Sequence, residues 1–365
     1  MKAKNYAGVD LFRIPAALMV AAIHIAPFST WNRVGDVLFT YCLGRIAVPF
    51  FLMTTGFFVL APYAKSGFRD KRRLVRFLRQ NTLLYLAATL FYFPINWYAG
   101  NLPKNVLEFF KALLFDGTFY HLWYFPAVIL GCLLVAILAK RSMRAAWIYA
   151  GIAYLIGLAG DSYYGLIQQI PALKACYDGI FSISNYTRNG IFFAPIYLLL
   201  GMAIANPRNR CSKTACRWGL PISVVFLLIE GYLTDLLHLQ RHNSMYLFLL
   251  PVLYFLFQML LSEPRYLKFL FLILVFNGEF RQFRLHLRLM QAVCRMIGFC
   301  VILHSLRIVF HSGIVACHSL KKPVYGSLRT AVPRSQHPFL DMQALAIASH
   351  FSQYVTQTFM IPLHF

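Results

Sequence analysis

"DLFRIPAALMVAAIHIAP", residues 10–27, is an apolar run broken by two ionisable side chains, Arg13 and His24. Its length and composition predict a membrane-spanning helix. At 3.6 residues per turn, Arg13, Val20 and His24 fall on nearly one face, and Arg13 and His24 are about 16 Å apart along the axis. Asp10, one turn before Arg13, shares that face and is placed to pair with it. An ionisable group at the centre of a span costs about 2.5–3.5 kcal/mol on insertion scales, so such residues are functional candidates by default. Two plainer readings stay open here. Arg13 lies one turn inside the helix end, where a long side chain snorkels to the interface, and a single histidine is also consistent with a satisfied bundle residue.

The rest of the chain decides what surrounds this helix. Its 365 residues are 59% hydrophobic and only 13% charged, against about 25% charged in soluble domains. With a mean hydropathy of +0.60, the sequence reads as an all-α, polytopic membrane helix bundle. The formal charge of +23 does not point to nucleic acid, because through the first three-quarters the basic residues cluster in short loops between apolar runs. The eight cysteines show no paired spacing and read as buried thiols rather than a disulfide framework or a metal site. Lys2 and Lys4 precede the first apolar run without a convincing small-x-small cleavage site, so it is expected to be a retained span rather than a secretory signal.

Apolar runs predict spans near 11–28, 43–62, 82–99, 122–139, 145–160, 190–206, 218–234, 245–262 and 266–277, with a weak one near 292–317, about ten in all. The loop "KSGFRDKRRLVRFLR" carries seven Lys/Arg and one Asp. Later even-numbered loops carry Lys140, Arg141 and Arg144, then Arg208, Arg210, Lys213 and Arg217, whereas the alternate loops are nearly neutral. This alternation predicts a plasma-membrane protein with a cytoplasmic N-terminus. No repeat relates the two halves, which argues against a transporter built from inverted repeats.

Two more polar sets accompany Arg13 and His24. One is expected near the outer surface: His121 and Trp123 in "YHLWYFP", Arg188 and Asn189 in "YTRNGIFF", Glu230 in "LLIEGYL", and His242 in "RHNSMY". An interfacial aromatic belt accounts for Trp123 and Tyr124, though not for His121 or Glu230. The other is cytoplasmic. Arg73, Arg76 and Arg79, spaced by three, share a helix face that suits bidentate phosphate binding. A plain positive-inside signal or a contact with anionic lipid explains the same comb. Together the sets fit an anionic, phosphate-bearing donor on the arginines and a histidine acting as general base on a hydroxyl acceptor.

These residues resemble the acyltransferase 3 family of integral membrane proteins. Arg13 and His24 match its Arg-x10-His pattern in the first span. "RIAVPFFLMTTGFFV" (45–59) resembles its second-span signature, "RLVR" and "RFLR" (73–79) its Arg-x-x-Arg motif, and "HLWYFPAVILG" its histidine–tryptophan–aromatic segment. "TRNGIFFAPIYLLLG" and "RHNSMYLFLLPVLYFLF" carry a particular likeness to the membrane domain of vancomycin-resistance type serine/alanine racemases. The likeness covers roughly residues 5–277. It implies a ten-helix enzyme that moves an acyl group, usually acetyl, from cytoplasmic acyl-CoA to a hydroxyl of a cell-envelope glycan or a related small acceptor, with no metal. Carried over, His24 is the catalytic residue, and Arg13, Arg73 and Arg76, with Arg79 beside them, bind the donor. His121, and with it Trp123, Arg188, Glu230 and His242, would line the acceptor or acyl path.

Two departures from the family shape the remaining expectations. The racemases carry a soluble pyridoxal-phosphate domain after the membrane part; this chain has no room for one before residue 365, so neither pyridoxal phosphate nor racemase activity is expected. From about Asn277 the likeness fades: residues 278–365 hold seven of the eleven histidines and lack a clear period. The expected organisation is an acyltransferase 3-like membrane domain, 1–277, followed by an atypical region, 278–365, that reads as a shifted frame or truncation scar. A divergent last span is the alternative. The competing function is a membrane module for serine transport or supply, since the same polar residues suit a substrate path. A non-catalytic sensor or partner in antibiotic resistance is a third reading. Oligomeric state is not legible in the sequence.

Overall fold

The computed structural model describes residues 6–29 and 32–262, all within one compact unit, with only the backbone of Tyr120 and His121. The expected spans at 266–277 and 292–317 and the atypical region 278–365 lie outside the described residues.

Every regular element among the described residues is helical. The longer ones are α1 (Ala7–Ile25), α2 (Arg33–Lys65), α3 (Arg72–Tyr98), α4 (Tyr124–Arg141), α5 (Met143–Ala159), α6 (Pro171–Ile183), α7 (Ala194–Ile204), α8 (Lys213–Leu236) and α9 (Leu249–Ser262). Four of these, α1, α2, α4 and α8, are long and apolar enough to cross a membrane. The other expected spans are met by shorter apolar helices (α5, α7, α9) or by α3, whose first turns carry the arginine comb. A count of about ten spans is therefore not established by the described helices.

Two helices differ from their expected bounds. The second was expected from 43 but begins at Arg33, because its polar first turns are satisfied internally. Asn32 caps the amide of Gly35 at 3.0 Å, and the Thr40 hydroxyl donates to buried Asp36 at 2.6 Å. Helix α6 falls in one of the loops that read as nearly neutral. Its buried residue is Tyr177, so burial does not mark the rest of its face.

α2 and α7 form the centre. α2 packs against α1, α7, α8 and α9, and α7 also meets α4 and α5. The backbones of α2 and α7 touch: a Cβ on Gly56 would sit 2.0 Å from the Leu198 carbonyl oxygen, and one on Gly201 2.0 Å from that of Met53. Small residues permit such close approach where lipid gives helices no hydrophobic drive to associate. Around this centre, α3 and α8 turn Leu90, Phe91, Trp97, Ile222 and Val225 outward, as a bundle in lipid does.

α2 is not uniform. A π turn spans Val37–Leu43, a 3-10 turn Gly44–Ile46, and a second π turn Gly56–Leu60. Pro49 lacks the N–H that would bond the Arg45 carbonyl, and the 3-10 turn lies where that bond is missing. At the other end of the bundle, Lys65 Nζ and Arg210 Nε donate to the Ala205 and Ile204 carbonyls at 3.3 and 2.9 Å. They place cations on the negative end of the α7 dipole.

Candidate functional site

The Arg13–His24 stripe turns into the bundle. Val20, between the two on that face, is 5% exposed, and Val9, Phe12, Ala16 and Ala17 are buried on the same side. Arg13 Nη1 pairs with Asp10 Oδ1 at 3.2 Å, the i,i+3 contact expected from spacing. Its Nε is buried without a hydrogen-bond acceptor. His24 is half-buried in the last turn of α1. Next to it, Ile23 fills the space over Gly44, where a Cβ would meet Ile23 Cγ1 at 2.9 Å. The end of α1 thus abuts the 3-10 turn that carries Arg45.

Arg73, Arg76 and Arg79 occupy the first two turns of α3, all exposed. They lie at the Arg13 end of the bundle: Tyr6, just before α1, makes edge contacts with Phe57 and Phe58 of α2 at 5.3 and 5.6 Å, and α3 packs on that part of α2. The bundle has a basic end, holding Arg13 and the arginine comb, and a far end, holding His24.

At the far end several expected residues converge. Arg188 is 5% exposed. Its Nη1 donates to Ser244 Oγ at 3.1 Å, and its guanidinium lies 5.2 Å from the Trp123 ring and 4.3 Å from the Tyr186 ring. Trp123 is itself buried against Phe193. It belongs to this cluster rather than to an interfacial belt. His242 packs on Tyr186 with ring centroids 4.5 Å apart. Burial, and then the positive charges of Arg188, Arg241 and Arg45, hold its imidazole down at about 4, so it is neutral at pH 7. His121 lies in the 3-10 turn Tyr120–Trp123, and its side chain is outside what is described.

Glu230 has a structural job. Its carboxylate accepts the amides of Leu247 and Phe248 at 2.6 and 2.8 Å and the Tyr163 hydroxyl at 2.7 Å. It caps the chain entering α9 from a different helix, α8, an arrangement with no sequence-local signal.

Two residues absent from the expected set are central to this end. Asp161, 1% exposed, accepts the Ser244 and Met245 amides on Oδ1 at 2.6 and 2.9 Å, and its carbonyl accepts the Arg241 amide at 3.0 Å. Burial raises its carboxyl above the usual range, while the two amides and then Arg188 and Arg45 pull it back. Arg45 donates through Nη2 to Asn243 Oδ1. Asp161 therefore pins residues 241–245, and Asn243 and Ser244 on that strap each hold an arginine. Arg45 had a signal, a charge inside the apolar run 43–62, whereas Asp161 looked like one more loop charge.

Comparison with known proteins now adds to this geometry. An acyltransferase domain model of the acyltransferase 3 type matches residues 6–280. Two proteins of Enterococcus faecalis, each named amino-acid racemase, are 42% and 39% identical over 71% and 72% of this chain. A serine/alanine racemase of Enterococcus gallinarum is 41% identical over 70% of it. The matches cover 36%, 38% and 37% of those proteins, so the chain spans little more than a third of the curated relatives' length. No solved structure matches it significantly. With three-quarters of its length under one model and its helices apolar, the chain belongs to the acyltransferase 3 family of membrane proteins.

Proposed function

We propose that the chain is a membrane O-acyltransferase that moves an acyl group, acetyl in the simplest case, from acyl-CoA to a hydroxyl of a cell-envelope carbohydrate or related acceptor. The observation that carries this reading is the bundle-facing stripe of Arg13, Val20 and His24 within the family match. The basic end, with Arg13, Arg73, Arg76 and Arg79, receives the anionic donor. His24 takes the proton of the acceptor hydroxyl, the oxygen attacks the thioester carbonyl, the C–S bond breaks, and coenzyme A leaves as the thiolate that is then protonated. Arg188, His242, Trp123 and His121 lie on the acceptor side, where Glu230 shapes the chain rather than the chemistry. On this reading the protein crosses the cell membrane about ten times, with the basic end cytoplasmic.

A second reading, a module supplying serine without acyl transfer, is favoured by the racemase names of its relatives. Purified protein with labelled acetyl-CoA separates the two. The acyltransferase reading expects release of coenzyme A that is lost in His24→Ala at unchanged expression. Serine uptake that survives His24→Ala, with no acetyl-CoA turnover by the wild type, reverses the order.

A further inference from the structure

Beside the basic end lie two thiols that the acyl-transfer reading leaves unused. Helix α8 starts from a serine cap. Ser212 accepts the Ala215 amide on Oγ at 3.1 Å, and its carbonyl accepts the Cys216 amide at 3.1 Å. Cys211 therefore stands just before the cap, and Cys216 is the fourth residue of the helix. Side chains at those two positions meet across the first turn of a capped helix, a contact ordinarily made by apolar residues. The two thiols interact electrostatically with each other, and both act on the Tyr254 hydroxyl of α9. Cys211 is fixed from that side: its amide donates to Gln258 Oε1 at 2.7 Å, and its sulfur lies 3.3 Å from the Tyr254 oxygen. Cys211 is half-buried, Cys216 is 3% exposed, and both are free thiols.

We propose that Cys211 and Cys216 are a peroxide-responsive pair that closes reversibly into a disulfide across the start of α8. Any two apolar side chains would serve the packing; two thiols at these positions add redox chemistry. A hydroperoxide is the oxidant. The more exposed Cys211, as thiolate, attacks a peroxide oxygen and the O–O bond breaks. Cys211 becomes a sulfenic acid, and the hydroperoxide leaves as an alcohol, or as water from hydrogen peroxide. Cys216, as thiolate, then attacks the Cys211 sulfur. The S–S bond forms, the S–O bond breaks, and the departing hydroxide takes up a proton as water. Two thiols are oxidised by two electrons, and one peroxide is reduced. Burial shields Cys216 from bulk oxidant while keeping it beside its partner. Tyr254 gives its hydroxyl hydrogen to the Asn209 carbonyl at 3.3 Å, so the Cys211 S–H is the donor to the Tyr254 oxygen. Oxidation removes that donor, and so fastens the loop to α8 as it releases it from α9. On the proposed topology this loop is cytoplasmic, where disulfides are transient and redox-sensing rather than structural.

The test is peptide mapping of the reduced full chain in detergent after exposure to hydrogen peroxide. The peroxide is raised until Cys176, exposed on α6, is oxidised. Remaining thiols are alkylated, and the chain is cut with trypsin under non-reducing conditions. Trypsin cleaves after Arg210, Lys213 and Arg217, so the two cysteines fall in separate peptides, 211–213 and 214–217. They are expected to appear joined, lighter by two hydrogens than their sum, and to part again after dithiothreitol. The folded chain should give a severalfold higher yield of the joined pair than a chain unfolded in guanidinium before the peroxide. Cys216→Ser should instead leave a Cys211 sulfenic acid that dimedone captures. Recovery of the two peptides apart while Cys176 is oxidised, or joined to other cysteines, overturns the proposal whether or not the variant folds. Equal yields from folded and unfolded chain also overturn it, since closeness in sequence would then suffice.

Discussion

At the scale of single residues, His24 and His242 have opposite assignments. His24 sits at the end of the buried stripe of α1, and the acyltransferase reading makes it the base. His24→Ala is then expected to lower acetyl-CoA turnover by about 10²–10⁴-fold, the usual worth of a positioned general base, with Tm little changed because the side chain is half-buried at a helix end. His242 is a poor base. Its imidazole is brought from an ordinary 6.5 to about 4 by burial and three neighbouring arginines. The folded chain thus binds fewer protons than the unfolded chain between these values. The contribution of His242 to stability is full above pH 6.5 and is lost as pH falls towards 4. Tm measured across that window should fall more steeply for the wild type than for His242→Gln. Equal slopes would show that His242 does not titrate differently on folding. Of these residues, Arg13 and His24 were legible because both stand in one apolar run at helical spacing. Asp161 was not, since a single acid in a loop carries no period.

At the scale of elements, α2 and α7 meet backbone to backbone through glycines. A methyl at Gly201 would meet the Met53 carbonyl oxygen at 2.0 Å, a backbone atom that moves only if the helices part. Gly201→Ala is expected to destabilise by at least the ~1–3 kcal/mol of ordinary overpacking, read as a lower Tm in detergent. Gly151→Ala in α5, where nothing lies within 4 Å, should leave Tm unchanged or slightly raised through helix propensity. Helix starts at Ser142 and Ser212 have local caps that follow from sequence, the serine hydroxyls accepting the Ala145 and Ala215 amides at 3.3 and 3.1 Å. The cap of α9 comes from Glu230 of another helix, and α6 has too little buried surface to announce itself.

At the scale of the molecule, the proposed topology puts the two ends on opposite sides of a membrane. On that proposal the basic end is cytoplasmic and α6, which follows α5 in the chain, is outside. Cys176 of α6 is exposed. A variant keeping Cys176 as its sole cysteine should therefore react with a membrane-impermeant maleimide in intact cells, and a sole Cys211, beside the basic end, only after permeabilisation. The opposite pattern would invert the topology and put Arg73, Arg76 and Arg79 on the wrong side for the proposed binding of cytoplasmic acyl-CoA.

By itself the sequence determined that this is a helical membrane protein of the acyltransferase 3 family, which ends of its helices are basic, and that Arg13 and His24 share a line. Those properties are local: hydropathy runs, helical spacing and loop charge are read within a few turns of chain. Only the tertiary structure decided that Arg45 meets Asn243, 198 residues away, that Arg188 meets Ser244, 56 away, and that Asp161 orients the strap between them from 83 residues upstream. Hydrogen bonds across such separations leave no period in the sequence. They exist because packing α2, α7 and α8 together carries their ends into one place, where buried polar groups must find partners.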